Sequence, residues 1–157
     1  MSTELIEIQS FLSHHPPFAY LSAEDLERVA GTIEISYFRE HSVVHAYGDA
    51  IAHLYLIRSG VIELLRRNGD LYNRSDSGEV FGQFGLLMNN RARFTAIART
   101  DTLLYCLPAE MFHELCARND DFSDFVEIES TTRLRQAVNE HELENKLASS
   151  KVGTLLS

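Results

Sequence analysis

The chain has 157 residues, 45% of them apolar and 24% charged. That is enough to bury one core, and it excludes global disorder. Lys and Arg number 14 against 23 Asp and Glu, a formal charge of -9, so nucleic acid finds no basic stripe to bind. No apolar run approaches the roughly 20 residues that span a bilayer. The N-terminus lacks the basic and apolar regions of a secretion signal. Cys106 and Cys116 form neither a disulfide framework nor a zinc motif and are expected to be reduced thiols in a cytoplasmic protein.

Residues 1–31 read as a helical segment. The first 13 form a helix with Leu5, Ile8, Phe11 and Leu12 as its apolar positions. Pro16 and Pro17 stop it by removing donors and forcing extended backbone. Ser22 is placed to cap a second helix from about Ala23 to Ala30. Asp25 gives a weak capping box, and Leu21 and Leu26 can staple across it. Gly31 is expected to end this helix.

Over residues 32–108 the period changes. Apolar residues come in short runs at 33–38, 43–46, 54–57, 61–65, 80–81, 94–98 and 103–107. Turn residues separate them, as in Tyr47-Gly48-Asp49, Arg58-Ser59-Gly60 and Asp76-Ser77-Gly78. Many short strands with glycine-marked turns predict an antiparallel sandwich or barrel. Asn68-Gly69 reads as a type I′ hairpin turn, which needs positive φ at both central residues. Between strands, Gly82–Asn90 suits one or two helical turns.

Residues 109–149 return to the helical period. Pro108 opens a helix with Met111, Phe112, Leu115 and Cys116 on one face. Asn119-Asp120-Asp121 is expected to break it as a turn. A last helix is expected from about Phe122 to Leu147, with Glu129/Arg133 and Glu142/Lys146 as favourable pairs. Leu134 and Val138 share a face nearly opposite Leu143 and Leu147, so this helix should meet two surfaces. Residues 150–157 read as a linker or the start of a following domain.

The most informative stretch is Ser77-Gly78-Glu79-Val80-Phe81-Gly82-Gln83-Phe84-Gly85-Leu86-Leu87, followed by Arg91-Ala92-Arg93-Phe94-Thr95-Ala96. A short helix starting near Gly85 would aim unpaired amides outward, which favours an anion. An Arg on the following strand could complete the cradle with a fork of donors. The glycines could equally serve only to close turns. Phe81, Phe84 and Phe94 read as core.

With Leu54-Tyr55-Leu56-Ile57-Arg58-Ser59-Gly60 and the later Gly78-Glu79-Val80-Phe81-Gly82, the chain resembles the cyclic nucleotide-binding domain over about residues 18–140. The resemblance implies a mainly β jelly-roll barrel, with short N-terminal helices and a long C-terminal helix. It implies a cassette in which a Gly-Glu pair reads a ribose hydroxyl. Amides of the short helix hold the cyclic phosphate, and an Arg pairs with it. Carried over, the Gly is Gly82, the Glu position is Gln83, and the amides come from about Gly85 and Leu86. The Arg position falls on Ala92, flanked by Arg91 and Arg93. A one-residue slip on a strand reverses the side chain, so which Arg serves stays open. The ligand-binding candidates are Gly82, Gln83, Phe84, Gly85, Leu86, Arg91, Arg93 and Thr95.

The resemblance extends to bacterial signal-transduction proteins that join this domain to CBS modules and a nucleotidyltransferase-type region. It implies a cytoplasmic sensor without chemistry of its own. Its ligand would be a cyclic nucleotide such as cAMP, or another small anion, and its partners the C-terminal domains of the same protein or a second copy. Binding would order residues 82–93 and shift the C-terminal helix. The other reading is a degenerate barrel serving interaction or dimerisation. His41, His45 and His53 raise a metal site, with His41 and His45 on one strand face. No H-x-H pair supports it. No GxSxG, HExxH or P-loop pattern is present.

Overall fold

A computed structural model describes residues 2–127, within one residue of the first of two compact units, Met1–Val126. The expected long helix beyond residue 127, its pairs Glu129/Arg133 and Glu142/Lys146, and residues 150–157 lie outside the described residues.

Helix α1 spans Thr3–Ser13, capped by Ser2, and buries Ile8 and Leu12. The chain turns through Pro16-Pro17 and a 3-10 turn at Phe18–Tyr20. Helix α2 spans Ala23–Thr32. Ser22 Oγ accepts from the Asp25 amide at 3.1 Å, the geometry of an N-cap, and Leu21 and Leu26 are buried beside it. Gly31 does not end the helix. It keeps out of the left-handed region, and extended backbone at Ile33 is the terminator.

Eight strands follow: β1 (Glu34–Phe38), β2 (Val43–His45), β3 (His53–Ser59), β4 (Ile62–Leu65), β5 (Leu71–Ser75), β6 (Val80–Phe81), β7 (Thr95–Ala98) and β8 (Thr102–Pro108). Helix α3 (Gln83–Met88) sits between β6 and β7, and α4 (Ala109–Arg118) follows β8. Residues 120–127 are helical again. Asn119 Oδ1 accepts from the Phe122 amide, so Asn119 caps this helix. Asp120 and Asp121 open it rather than form the expected breaking turn.

The strands form two antiparallel sheets, β1-β8-β3-β6 and β2-β7-β4-β5. Among the described residues no strand pair joins them, so the architecture is a sandwich and closure into the expected barrel is not seen. Strand β5 has no counterpart among the predicted runs because its sequence is polar. It is an edge strand, paired among the described residues only with β4. The β4–β5 connection also differs from expectation. Gly69 donates to the Arg66 carbonyl and Arg66 to the Asp70 carbonyl. Only Gly69 has positive φ there, at 94°. This is a type I turn followed by a left-handed glycine, not type I′.

Alternation along the first sheet makes two cores. Leu54, Leu56, Val80, Tyr105 and Leu107 face the helices, meeting Ile8, Leu12, Phe18, Val29, Phe112, Leu115 and Phe122. Ile57, Phe81, Leu104 and Cys106 face the other sheet, meeting Ile62, Leu64, Ala96 and Ala98. The pairs Tyr55↔Phe81 and Leu56↔Val80 fix which side is which.

Candidate functional site

The cassette is built by glycines at fixed points. Gly82 ends β6 with φ 97° and caps α3. A Cβ there would lie 3.1–3.3 Å from Ile51, the His53 carbonyl and Tyr55. At Gly85 a Cβ would sit 2.5 Å from the Arg91 carbonyl. The helix thus rests backbone against backbone on the returning chain. Asn90 makes that return with φ 59°. Its amide donates to the Gly85 carbonyl, and its carbonyl accepts from Ile51.

Helix α3 starts at Gln83, two residues before the expected point. The Leu86 amide bonds the Gly82 carbonyl at 3.3 Å. The head amides not spent within the helix are therefore those of Gln83, Phe84 and Gly85, and Leu86 is not among them.

Gln83 is 1% exposed, and neither Nε2 nor Oε1 has a hydrogen-bond partner among the described residues. A buried amide without partners costs about 1–3 kcal/mol per group. Phe84 is 8% exposed and meets Phe94 edge-on at 6.2 Å. The half-buried Arg93 lies over the Phe84 ring at 5.4 Å. Arg91 is exposed, and its Nη1 reaches back to the Gly48 carbonyl at 3.5 Å. Between them Ala92 is buried, 3% exposed. It is held by bonds from its amide to Asp49 and from Gly48 to its carbonyl. Thr95 Oγ1 accepts from the Tyr47 amide at 2.9 Å. The candidates thus divide. Gln83, Phe84 and Arg93 gather around the head of α3, Arg91 turns away, and Thr95 braces the β2–β7 edge.

Two further side chains lie on the inner wall: Tyr55, and His45, which the sequence raised only as a metal ligand. Tyr55 stacks on Phe81 at 4.9 Å, and burial pushes its hydroxyl up to about 12. His45 lies 5.8 Å from the Tyr55 ring and 6.1 Å from Phe81. Burial lowers its pKa against a smaller opposing pull from Asp49. His41 does not share its strand face. It is an exposed turn residue with φ 72°. Among the described residues no cluster of three or more His, Cys, Asp or Glu could hold a metal, and no helix is long and apolar enough to cross a membrane.

Residues 35–119, over half of the chain, match the family model of the cyclic nucleotide-binding domain. The chain belongs to that family. The domain is regulatory rather than catalytic. The cAMP-dependent protein kinase regulatory subunit of Debaryomyces hansenii is 25% identical over 105 residues, 67% of this chain and 23% of its own length. The curated relatives it matches are far longer, and the chain spans a quarter or less of them. The Catabolite Activator Protein of Thermus thermophilus superposes with TM-score 0.68 at 25% identity, covering 86% of this chain and 63% of that one. The regulatory subunit of a cAMP-independent protein kinase A from Trypanosoma brucei shares the fold, with TM-score 0.72 at 18% identity, over 82% of this chain and 49% of its own.

Proposed function

We propose that this domain is a regulatory sensor for a small cyclic nucleotide-type ligand, read with a cassette of reduced charge. The buried, partnerless amide of Gln83 carries the reading. A hydroxyl can donate to Oε1 and accept from Nε2 at once, so a ribose-type hydroxyl answers both orphaned atoms. Head amides of α3 and the Arg93 guanidinium supply the favourable field for a phosphate. Family membership and cAMP-bound proteins of the same fold, such as the regulatory domain of Toxoplasma gondii PKA, support the ligand class. In this reading Gly82, Gln83, Phe84, Gly85 and Arg93 line the site. Leu86, Arg91 and Thr95 support it.

The proposed setting is a cytoplasmic bacterial signal-transduction protein with CBS modules and a nucleotidyltransferase-type region. Ligand state would pass through the C-terminal helix to those domains or to a second copy. Calorimetry with cAMP, cGMP and cyclic dinucleotides tests the sensor. Saturable heat with one of them supports it, and Gln83→Glu should tighten cAMP by adding a charge-assisted bond. No heat from any of the three defeats it.

Ala92 favours a second reading, an interaction or dimerisation module that has lost its nucleotide. A buried alanine leaves no cation where the phosphate partner is implied. That reading expects a concentration-dependent dimer by sedimentation with no ligand heat.

A further inference from the structure

Strand β2 carries an irregularity that decides where His45 points. Val43 pairs with Ile97, yet His45 pairs with Ala96. Two steps on β2 thus match one on β7, which is a β-bulge with Val44 as the extra residue. Regular alternation would turn Val43 out, Val44 in and His45 out. Val43 is indeed exposed, and Val44 packs on the sandwich core. The bulge then brings His45 to the same face as its partner Ala96, which is wholly buried. His45 arrives beside Tyr55 and Phe81, two residues along the chain from Gln83. Its Nδ1 is buried and has no hydrogen-bond partner among the described residues.

Such a placement is unfavourable for folding alone. Burying a polar nitrogen without a partner costs free energy, and a Val or Phe would fill the space without that loss. The buried, partnerless side-chain atoms among the described residues are those of His45 and Gln83, and Phe81, beside which His45 lies, stands two residues before Gln83 in the chain.

We propose that His45 is a second ligand-reading residue, hydrogen-bonding the same small polar ligand that Gln83 meets. The inference rests on the proposed sensor function and extends it to the opposite sheet. The ligand class it selects carries hydrogen-bonding groups at two places: a hydroxyl for Gln83, and a donor or acceptor on its far side for the imidazole. The charged and titratable groups facing His45 are Asp49, whose Oδ2 accepts from the Ala46 amide, and Tyr55.

The test uses the full chain, cAMP as first probe and cGMP as second. His45→Phe keeps the ring and removes both nitrogens. It should weaken binding of the probe at least tenfold, the worth of about one hydrogen bond. The ligand-free protein should melt at the same temperature or higher. A structural histidine would show the opposite pair of effects, with lower melting and intact affinity. His45→Gln, which restores hydrogen-bonding capacity, should recover part of the affinity. Unchanged affinity in His45→Phe, with Gln83→Leu losing it, overturns this inference and leaves the sensor standing. No saturable binding by the native chain overturns both.

Discussion

Gln83 is a side chain whose cost is visible and whose benefit is not internal to the fold. Replacing it with Leu, similar in volume, should stabilise the ligand-free chain by roughly 1–3 kcal/mol. That is a rise of about 2–4 °C in melting temperature per kcal/mol, read by a thermal melt, while ligand affinity falls. A drop in melting temperature would mean that the amide has a structural role. Two histidines set a second expectation. Burial comes first among the causes that lower His15, with His14 and Arg58 adding to it. Burial also lowers His45. A depressed histidine takes its proton later in the folded than in the unfolded chain. Its stabilising contribution is therefore full above the unfolded value near 6.5 and declines as pH falls below it. The urea midpoint should drop between pH 7 and pH 5, and His45→Phe should flatten part of that slope. Of these residues, the sequence marked Gln83 as a departure from its family. The inward turn of His45 was illegible, because a bulge is a property of two paired strands and not of either alone.

At the level of elements, glycines separate backbone strain from collision. Gly69 has φ 94°, and a Cβ would meet nothing within 4 Å. Gly69→Ala should cost about 1–2 kcal/mol, the left-handed penalty alone. Gly60 has φ 101°, and its Cβ would collide with Thr102 Oγ1 as well as the Asp101 carbonyl at 2.6 Å. Gly60→Ala should therefore cost distinctly more than Gly69→Ala in chemical denaturation. Equal losses would refute the collision. Helices α1, α2 and α4 were readable because caps and apolar spacing are local signals, such as Ser22 with Leu21 and Leu26. Seven of the strands were readable as apolar runs. Strand β5 was not, since an edge strand pairs through backbone and needs few apolar side chains. The turn at Asn68-Gly69 was placed correctly and its type missed. Asn-Gly suits several turns, and the register of β4 on β5 chooses among them.

The whole domain adds an electrostatic link between helices distant in sequence. Arg28 on α2 donates to Glu114 on α4 at 2.7 Å and pairs with Asp25 at 3.3 Å. Arg118 also reaches Asp25 and Glu114. The hydrogen bond from Arg28 is the main cause holding the Glu114 carboxyl below its usual range. A depressed carboxylate stabilises above its unfolded pKa, and that help is lost as pH falls through the lower folded value. Glu114→Gln should remove part of the acid sensitivity below pH 5 and lower stability at pH 7 by the same amount, which is small because the pair is exposed and screened. An unchanged acid slope would dismiss the link. A mainly β antiparallel class was legible from strand spacing, and two antiparallel sheets with flanking helices bear it out, while the expected closure into a barrel is not seen among the described residues. The division into two cores was not legible, since it depends on which face each strand presents. That division has a mechanical corollary. Tyr55 and Phe81 line the wall beside the cassette, while their immediate neighbours Leu56 and Val80 are wedged among the helices. One layer of peptide planes is all that lies between them. Any tilt of β3 and β6 that accommodates a guest on one side is felt at once by the packing on the other, with no relay of intermediates.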